Sequence, residues 1–166
     1  MPIVKQVKGD LLALFKQGHF PTIAHGCNCV QVMGAGIAKQ VAEQFPEAFE
    51  ADKEFTLPAL YRLGEYSVVP TQYGVILNFY TQLQPGANFE YCALKNCLKR
   101  LSMEAIKQGT YLELAVPFIG AGIGGGDWNT IKKILNSQEY LLITVVEYDQ
   151  GTLLVGEEKA NESSES

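Results

Sequence analysis

Twice in this chain a strand-like apolar run ends in a glycine-rich loop that leads straight into a helix-like pattern. The first loop is Met33-Gly34-Ala35-Gly36, after residues 22–27, and the second is Gly120-Ala121-Gly122-Ile123-Gly124-Gly125-Gly126, after residues 112–119. A strand-loop-helix step sets each helix start beside the end of its strand, and a sheet covered by helices on both faces accommodates two such steps. The same turn presents backbone amides and the positive end of a helix dipole, which together hold phosphate oxygens. Two cradles in one short chain predict one ligand with a phosphate group near both.

The remaining periodicity agrees with an α/β domain. We expect strands over residues 2–7 and 22–27, a short helix over 9–18, and a helix over 35–45. Pro46 then breaks the chain and opens a further helix ending near 55. Two pairing strands follow, 64–70 and 74–80, around a turn at 72–74. A long helix is expected over 89–108, with Leu94, Cys97, Leu98, Leu101 and Ile106 as its inward stripe. Next come a strand over 112–119, a helix over 127–136 and a strand over 141–148. Residues 1–155 are expected to form one domain, with an edge strand at 151–155 and a disordered acidic tail at 156–166.

Charge excludes some partners. The net charge is −5, and the tail holds four Glu against one Lys, so the body carries only −2. The 13 Lys and Arg are scattered, with adjacent pairs only at Lys99-Arg100 and Lys132-Lys133, so no extended nucleic-acid interface is expected. The N-terminus lacks a charged segment followed by an apolar one, and no run approaches the length of a membrane span. A cytoplasmic monomer without membrane contact is expected. Cys27, Cys29, Cys92 and Cys97 do not have zinc-ligand spacing and are read as reduced, mostly buried thiols, with no metal and no cofactor.

A dinucleotide-binding reading must be weighed, because Gly120-x-Gly122-x-x-Gly125 satisfies that fingerprint and Glu147 or Asp149 stands near the expected distance. Dinucleotide folds, however, carry the fingerprint at their first strand-helix turn and need further strands to complete the site. Fewer than twenty residues follow Glu147.

Four ordered motifs point elsewhere: Gly9-Asp10-Leu11; Ile23-Ala24-His25-Gly26-Cys27-Asn28-Cys29; Met33-Gly34-Ala35-Gly36-Ile37-Ala38; and Val116-Pro117-Phe118-Ile119-Gly120-Ala121-Gly122-Ile123. Together they resemble the macrodomain family, whose ligand is ADP-ribose, over nearly the whole chain apart from the tail. The resemblance implies a three-layer α/β/α sandwich with a central mixed sheet. His25-Gly-Cys-Asn28-Cys-x4-Gly-x-Gly-Ile-Ala-x-Gln and Pro-x-Ile-x-x-Gly-Ile-x-Gly-x-x-Trp128 are most similar to the branch of ADP-ribose 1″-phosphate phosphatases. That branch implies removal of the terminal phosphate. A related branch releases ADP-ribose from modified protein or nucleic acid, and the fold also serves as a non-catalytic ADP-ribose reader.

Each candidate residue carries a plain reading beside the one the resemblance implies. Asp10 is an ordinary helix cap, or the acceptor for the exocyclic amine of adenine. Asn28 closes a turn, or grips the distal ribose and is counted with the catalytic residues. Gly34, Ala35, Gly36 and Ile37 pass beside that ribose and its phosphates, where glycine permits close backbone approach. By the same resemblance Gly120, Ala121, Gly122, Ile123 and Gly124 are expected to wrap the diphosphate from the other side, with Ile123 over the distal ribose; the plain reading of both loops is two structural turns that happen to be rich in glycine. Leu11, Pro117 and Ile119 complete the implied lining, and Tyr148 is placed to stack on adenine at the end of its strand.

For catalysis, His25 is either a satisfied core residue or the proton carrier near the distal ribose. Asp127 is either a helix cap or a carboxylate that orients water. The chain departs from the hydrolase branch, which pairs a lysine with an aspartate near the second loop, where this chain has Gly124.

Overall fold

The computed structural model describes residues 3–149. In chain order it holds β1 (Ile3–Gly9), α1 (Leu11–Lys16), β2 (Thr22–Asn28), α2 (Gly36–Gln44), α3 (Pro46–Glu54) and α4 (Ala59–Arg62). It continues with β3 (Tyr66–Thr71), β4 (Gly74–Gln82), α5 (Tyr91–Gln108), β5 (Leu112–Val116), α6 (Trp128–Asn136) and β6 (Leu141–Tyr148). The strands form one six-stranded sheet in the order β1-β6-β5-β2-β4-β3. Neighbours run parallel except β3, which pairs antiparallel with β4. The expected mixed sheet flanked by helices is therefore present. The edge strand and acidic tail expected beyond residue 150 lie outside the described residues.

Alternation along the strands sends side chains to two separate cores. Leu77, Phe79, Leu114, Val116, Ile143 and Val145 face Leu94, Cys97, Leu98 and Leu101 of α5 and Ile131, Ile134 and Leu135 of α6. On the other face Val7, Ile23, Ile76, Ala115 and Val146 meet Leu12, Phe15, Val41, Phe45 and Ala48. Each fully buried Leu or Phe contributes about 1.5–3 kcal/mol relative to exposure. The α5 stripe differs by one residue from expectation: Ile106 is 52% exposed, and Ala105 completes the buried face. From Leu101 a step of four keeps the helical face, whereas a step of five turns out to solvent.

The β3–β4 hairpin forms where expected. Thr71 Oγ1 donates to Gly74 O at 2.9 Å and accepts from Tyr73 N at 3.1 Å, closing the turn. Gly74 is required there, since a Cβ would stand 2.5 Å from Pro21 O and its φ is +147°. The four-residue α4 was not expected, being too short to display a period. No described helix is long and apolar enough to cross a membrane.

This topology positions the site. Five parallel strands finish at one edge of the sheet, so the segments after β2, β4 and β5 gather over that edge, where open α/β sheets bind ligands.

Candidate functional site

These three segments enclose a cleft of about 540 Å³, a size ordinary for a small-molecule site. One wall is the start of α2, where the N-cap residue Ala35 makes no side-chain cap bond and the first turn holds no acid. The amides there are left to a ligand, and the helix dipole favours an anion. Facing it is the second glycine loop, whose turns occupy the amides of Ile119, Ala121, Gly125 and Gly126. Those of Gly120, Gly122, Ile123 and Gly124 have no backbone acceptor among the described residues. The walls touch: a Cβ on Gly36, whose φ is +59°, would stand 3.0 Å from Ile123 Cδ1.

The second loop was expected to wrap the diphosphate. The structure gives most of its glycines a different task, because Phe89 is wrapped by the loop. A Cβ on Gly120 would lie 2.4 Å from the Phe89 ring, one on Gly124 3.2 Å from Phe89 Cβ, and one on Gly126 2.8 Å from the ring. Phe89 N also donates to Gly124 O at 3.2 Å. Only Gly122 has nothing within 4 Å of its Cβ position. Phe118 forms part of the cleft wall and is backed by Trp128, stacked at 4.3 Å.

Pro117, Ile119, Asn28, Ala35 and Ile37 line the cleft. Asn28 is also turned into its own loop: Nδ2 donates to Val32 O at 2.7 Å, and Oδ1 accepts from Val30 N at 3.0 Å. Ala121 is not in the lining and packs against the core instead. Gly26, Cys27, Val32, Ala38 and Phe118, beside or within the expected motifs, also line the cleft without having been named as site residues; four more, Thr81, Gln82, Pro85 and Gly86, come from the end of β4 and its loop. No local signal marks these last; only the parallel pairing of β2 with β4, which sets Asn28 beside Gln82, brings them in.

His25 is corrected. It is 1% exposed and absent from the cleft lining, because β2 turns its ring into the core. Nε2 donates to Asn78 Oδ1 at 2.7 Å, and Asn78 Nδ2 donates onward to Ser67 Oγ at 2.9 Å. Ser67 Oγ donates to Tyr80 OH at 3.1 Å, and Tyr80 OH donates to Asp52 Oδ1 at 2.9 Å. This one-way chain ends on a carboxylate 3.9 Å from the buried Arg62 guanidinium, so each link polarises the next. Burial lowers the His25 pKa to about 4, leaving the ring neutral. Cys27 lines the cleft, but burial holds its thiol well above the ordinary range, so it is no nucleophile.

Asp127 takes the capping role of its two readings. It caps α6, accepting from Thr130 N at 3.0 Å and Thr130 Oγ1 at 2.8 Å, and does not line the cleft. Those bonds stabilise the carboxylate and lower its pKa. Cys27 is thus the only ionisable side chain among the described lining residues.

Asp10 and Tyr148 are brought together at the opposite end of the sheet edge, since Gly9 pairs with Tyr148 in the β1–β6 register. Tyr148 is 61% exposed, and Asp10 Oδ1 caps α1 by accepting from Ala13 N at 3.1 Å. The side chain of Leu11 is buried in the core. The enclosed volume stops short of all three.

A three-layer α/β/α domain with an amide-walled cleft over its parallel strand ends defines the class. The Macro domain family profile matches residues 24–135, and the chain belongs to that family. It is 43% identical over 153 residues to an uncharacterized 17.5 kDa protein of Enterobacteria phage T4, covering 89% of this chain and 97% of that one. It is 32% identical over 133 residues to a DNA ADP-ribosyl glycohydrolase of Mycobacterium tuberculosis. That match takes in 78% of this chain but only 36% of the glycohydrolase. Among solved structures, the macrodomain of Mycobacterium tuberculosis DarG superposes with a TM-score of 0.66 at 27% identity, covering 86% of this chain and 96% of that one. The relatives with a named activity are glycohydrolases, so the expected affinity to the phosphatase branch finds no support in them.

Proposed function

We propose that the cleft binds the ADP-ribose unit of an ADP-ribosylated macromolecule, with nucleic acid the favoured carrier, and that the chain hydrolyses the bond joining the two. The free amides of α2 and of the second glycine loop would hold the diphosphate. Adenine would lie towards Asp10 and Tyr148, and the distal ribose over β2 and β4. From β1 to β4 is four strand spacings, about 19 Å at ~4.8 Å each, which suits an extended dinucleotide-sized ligand.

The observation that carries this reading over the phosphatase one is the 32% identity to a DNA ADP-ribosyl glycohydrolase, since the neutral far end serves neither reaction with a charged group. Asn28, Thr81, Gln82, Pro85 and Gly86 offer no cation to a terminal phosphate and no acid to its leaving group. Phosphoryl transfer depends on such stabilisation of charge. Cleavage at C1″ through an oxocarbenium-like state ordinarily uses paired carboxylates, which the lining also lacks, so the protein's part there is to hold the sugar while the proton transfers fall to water and substrate.

The test is to incubate the protein with an ADP-ribosylated single-stranded oligonucleotide, an ADP-ribosylated protein and ADP-ribose 1″-phosphate, following free ADP-ribose and inorganic phosphate. Release of ADP-ribose from a conjugate is expected. Phosphate release with both conjugates intact would restore the phosphatase reading. Tight ADP-ribose binding with no turnover of any of the three would establish a reader, a second reading favoured by the lack of acid or base in the cleft lining.

A further inference from the structure

The far end of the cleft has few side-chain groups available to recognise what lies beyond the diphosphate. Asn28 has both ends of its carboxamide engaged in its own turn, through Val32 O and Val30 N. Thr81 is buried, and a Cβ on Gly26 would stand 2.9 Å from its Oγ1. Gln82 differs. Its Nε2 donates to Gln84 O and Gly86 O, each at 2.8 Å, and these two carbonyls fix both the plane of the carboxamide and which end is nitrogen.

The opposite end, Oε1, then faces Gly124. A Cβ at that position would be 3.2 Å from Oε1, but also 2.9 Å from Gly120 O and 3.2 Å from Phe89 Cβ, so it is not the glycine that opens the oxygen to the cleft. Its place in the lining does: Gln82 lines the cleft, and Oε1 is not among the buried side-chain atoms that lack a partner. Among the described residues no donor reaches Oε1. A half-buried acceptor, held rigid by two bonds and opening on a ligand cleft, is a recognition element rather than a packing one.

Resting on the reading of the cleft as an ADP-ribose site, we infer that Gln82 Oε1 accepts a hydrogen bond from a secondary hydroxyl of the distal ribose. Gln82 is thus a specificity-determining residue that selects ligands carrying a sugar beyond the diphosphate. Through Nε2 it also holds the segment after β4 as the third wall.

Calorimetry on the full chain tests this with three probes: ADP-ribose, ADP, and an ADP-ribose analogue whose distal sugar lacks its secondary hydroxyls. The wild type is expected to prefer ADP-ribose over the analogue by roughly fivefold, the worth of one neutral hydrogen bond. Gln82→Met and Gln82→Leu are expected to bind those two alike, whatever the loss of the Nε2 bonds does to their affinity for ADP. A variant that weakens all three probes in parallel, with the preference retained, overturns the inference, since Gln82 would then only support the wall. A wild type that binds ADP-ribose and the analogue equally overturns it without any variant, and leaves the ADP-ribose site standing. No ADP-ribose binding at all overturns both.

Discussion

His25 couples to stability rather than to chemistry. Its ordinary pKa of 6.5 falls to about 4 in the fold, so between those values the unfolded chain binds a proton that the folded chain does not. Stability therefore rises with pH across that window, and acidification withdraws about 3 kcal/mol in all. Asp52, whose carboxyl is raised from 3.8 chiefly by burial, acts in the opposite sense where it titrates. Denaturation midpoints are expected to fall from about pH 6.5 towards pH 4, and His25→Gln to flatten that slope. A wild-type midpoint that is level across the window would contradict the assignment. Asp127→Ala removes a cap only: a lower melting temperature with unchanged ADP-ribose affinity is expected, and a lost affinity would return Asp127 to the site.

At the scale of the element, the second glycine loop is a sleeve around Phe89 as much as a phosphate cradle. Gly120→Ala would drive a methyl into that ring at a φ of +79°. A loss of about 2 kcal/mol or more is expected from overpacking and left-handed strain together. Gly122→Ala meets nothing within 4 Å and should unfold like the wild type, within about 0.5 kcal/mol. Equal melting curves for the two variants would refute the distinction. Across the cleft, Gly36→Ala should weaken ADP-ribose binding by pressing on Ile123, and adding Ile123→Ala should return part of the loss. Strict additivity of the two would show that the walls are not in contact.

For the whole molecule, binding is expected to be insensitive to pH. His25 titrates near 4 and is outside the cleft, while the Cys27 thiol stays protonated well above its ordinary 9.0. Anion recognition therefore falls to backbone amides, which do not titrate. ADP-ribose affinity measured from about pH 6 to pH 9 should vary by less than about twofold. A sharp step in that range would reveal an ionisable contact that the lining lacks.

Legibility followed the range of the interactions. The glycine loops, the hairpin, the Pro46 break and most helix and strand positions were readable, because each rests on local periodicity or on a residue with a special backbone. The caps at Asp10 and Asp127 were readable as one of two alternatives, and their bonds to Ala13 and Thr130 show the local one at work. Whether His25 faced cleft or core was not readable, since one step along a strand reverses a side chain and the partner Asn78 is 53 residues away. Gln82 was invisible for the same reason: nothing near it in the chain announces a site.

The sequence by itself determined the alternation of elements, the two amide-presenting loops and the family, all of which follow from short-range pattern. Only the tertiary structure decided which glycines serve Phe89 and which the cleft, that the far end of the cleft is neutral, and that Gln82 stands there. Those facts depend on strand order and register, which bring together segments that local pattern leaves unrelated.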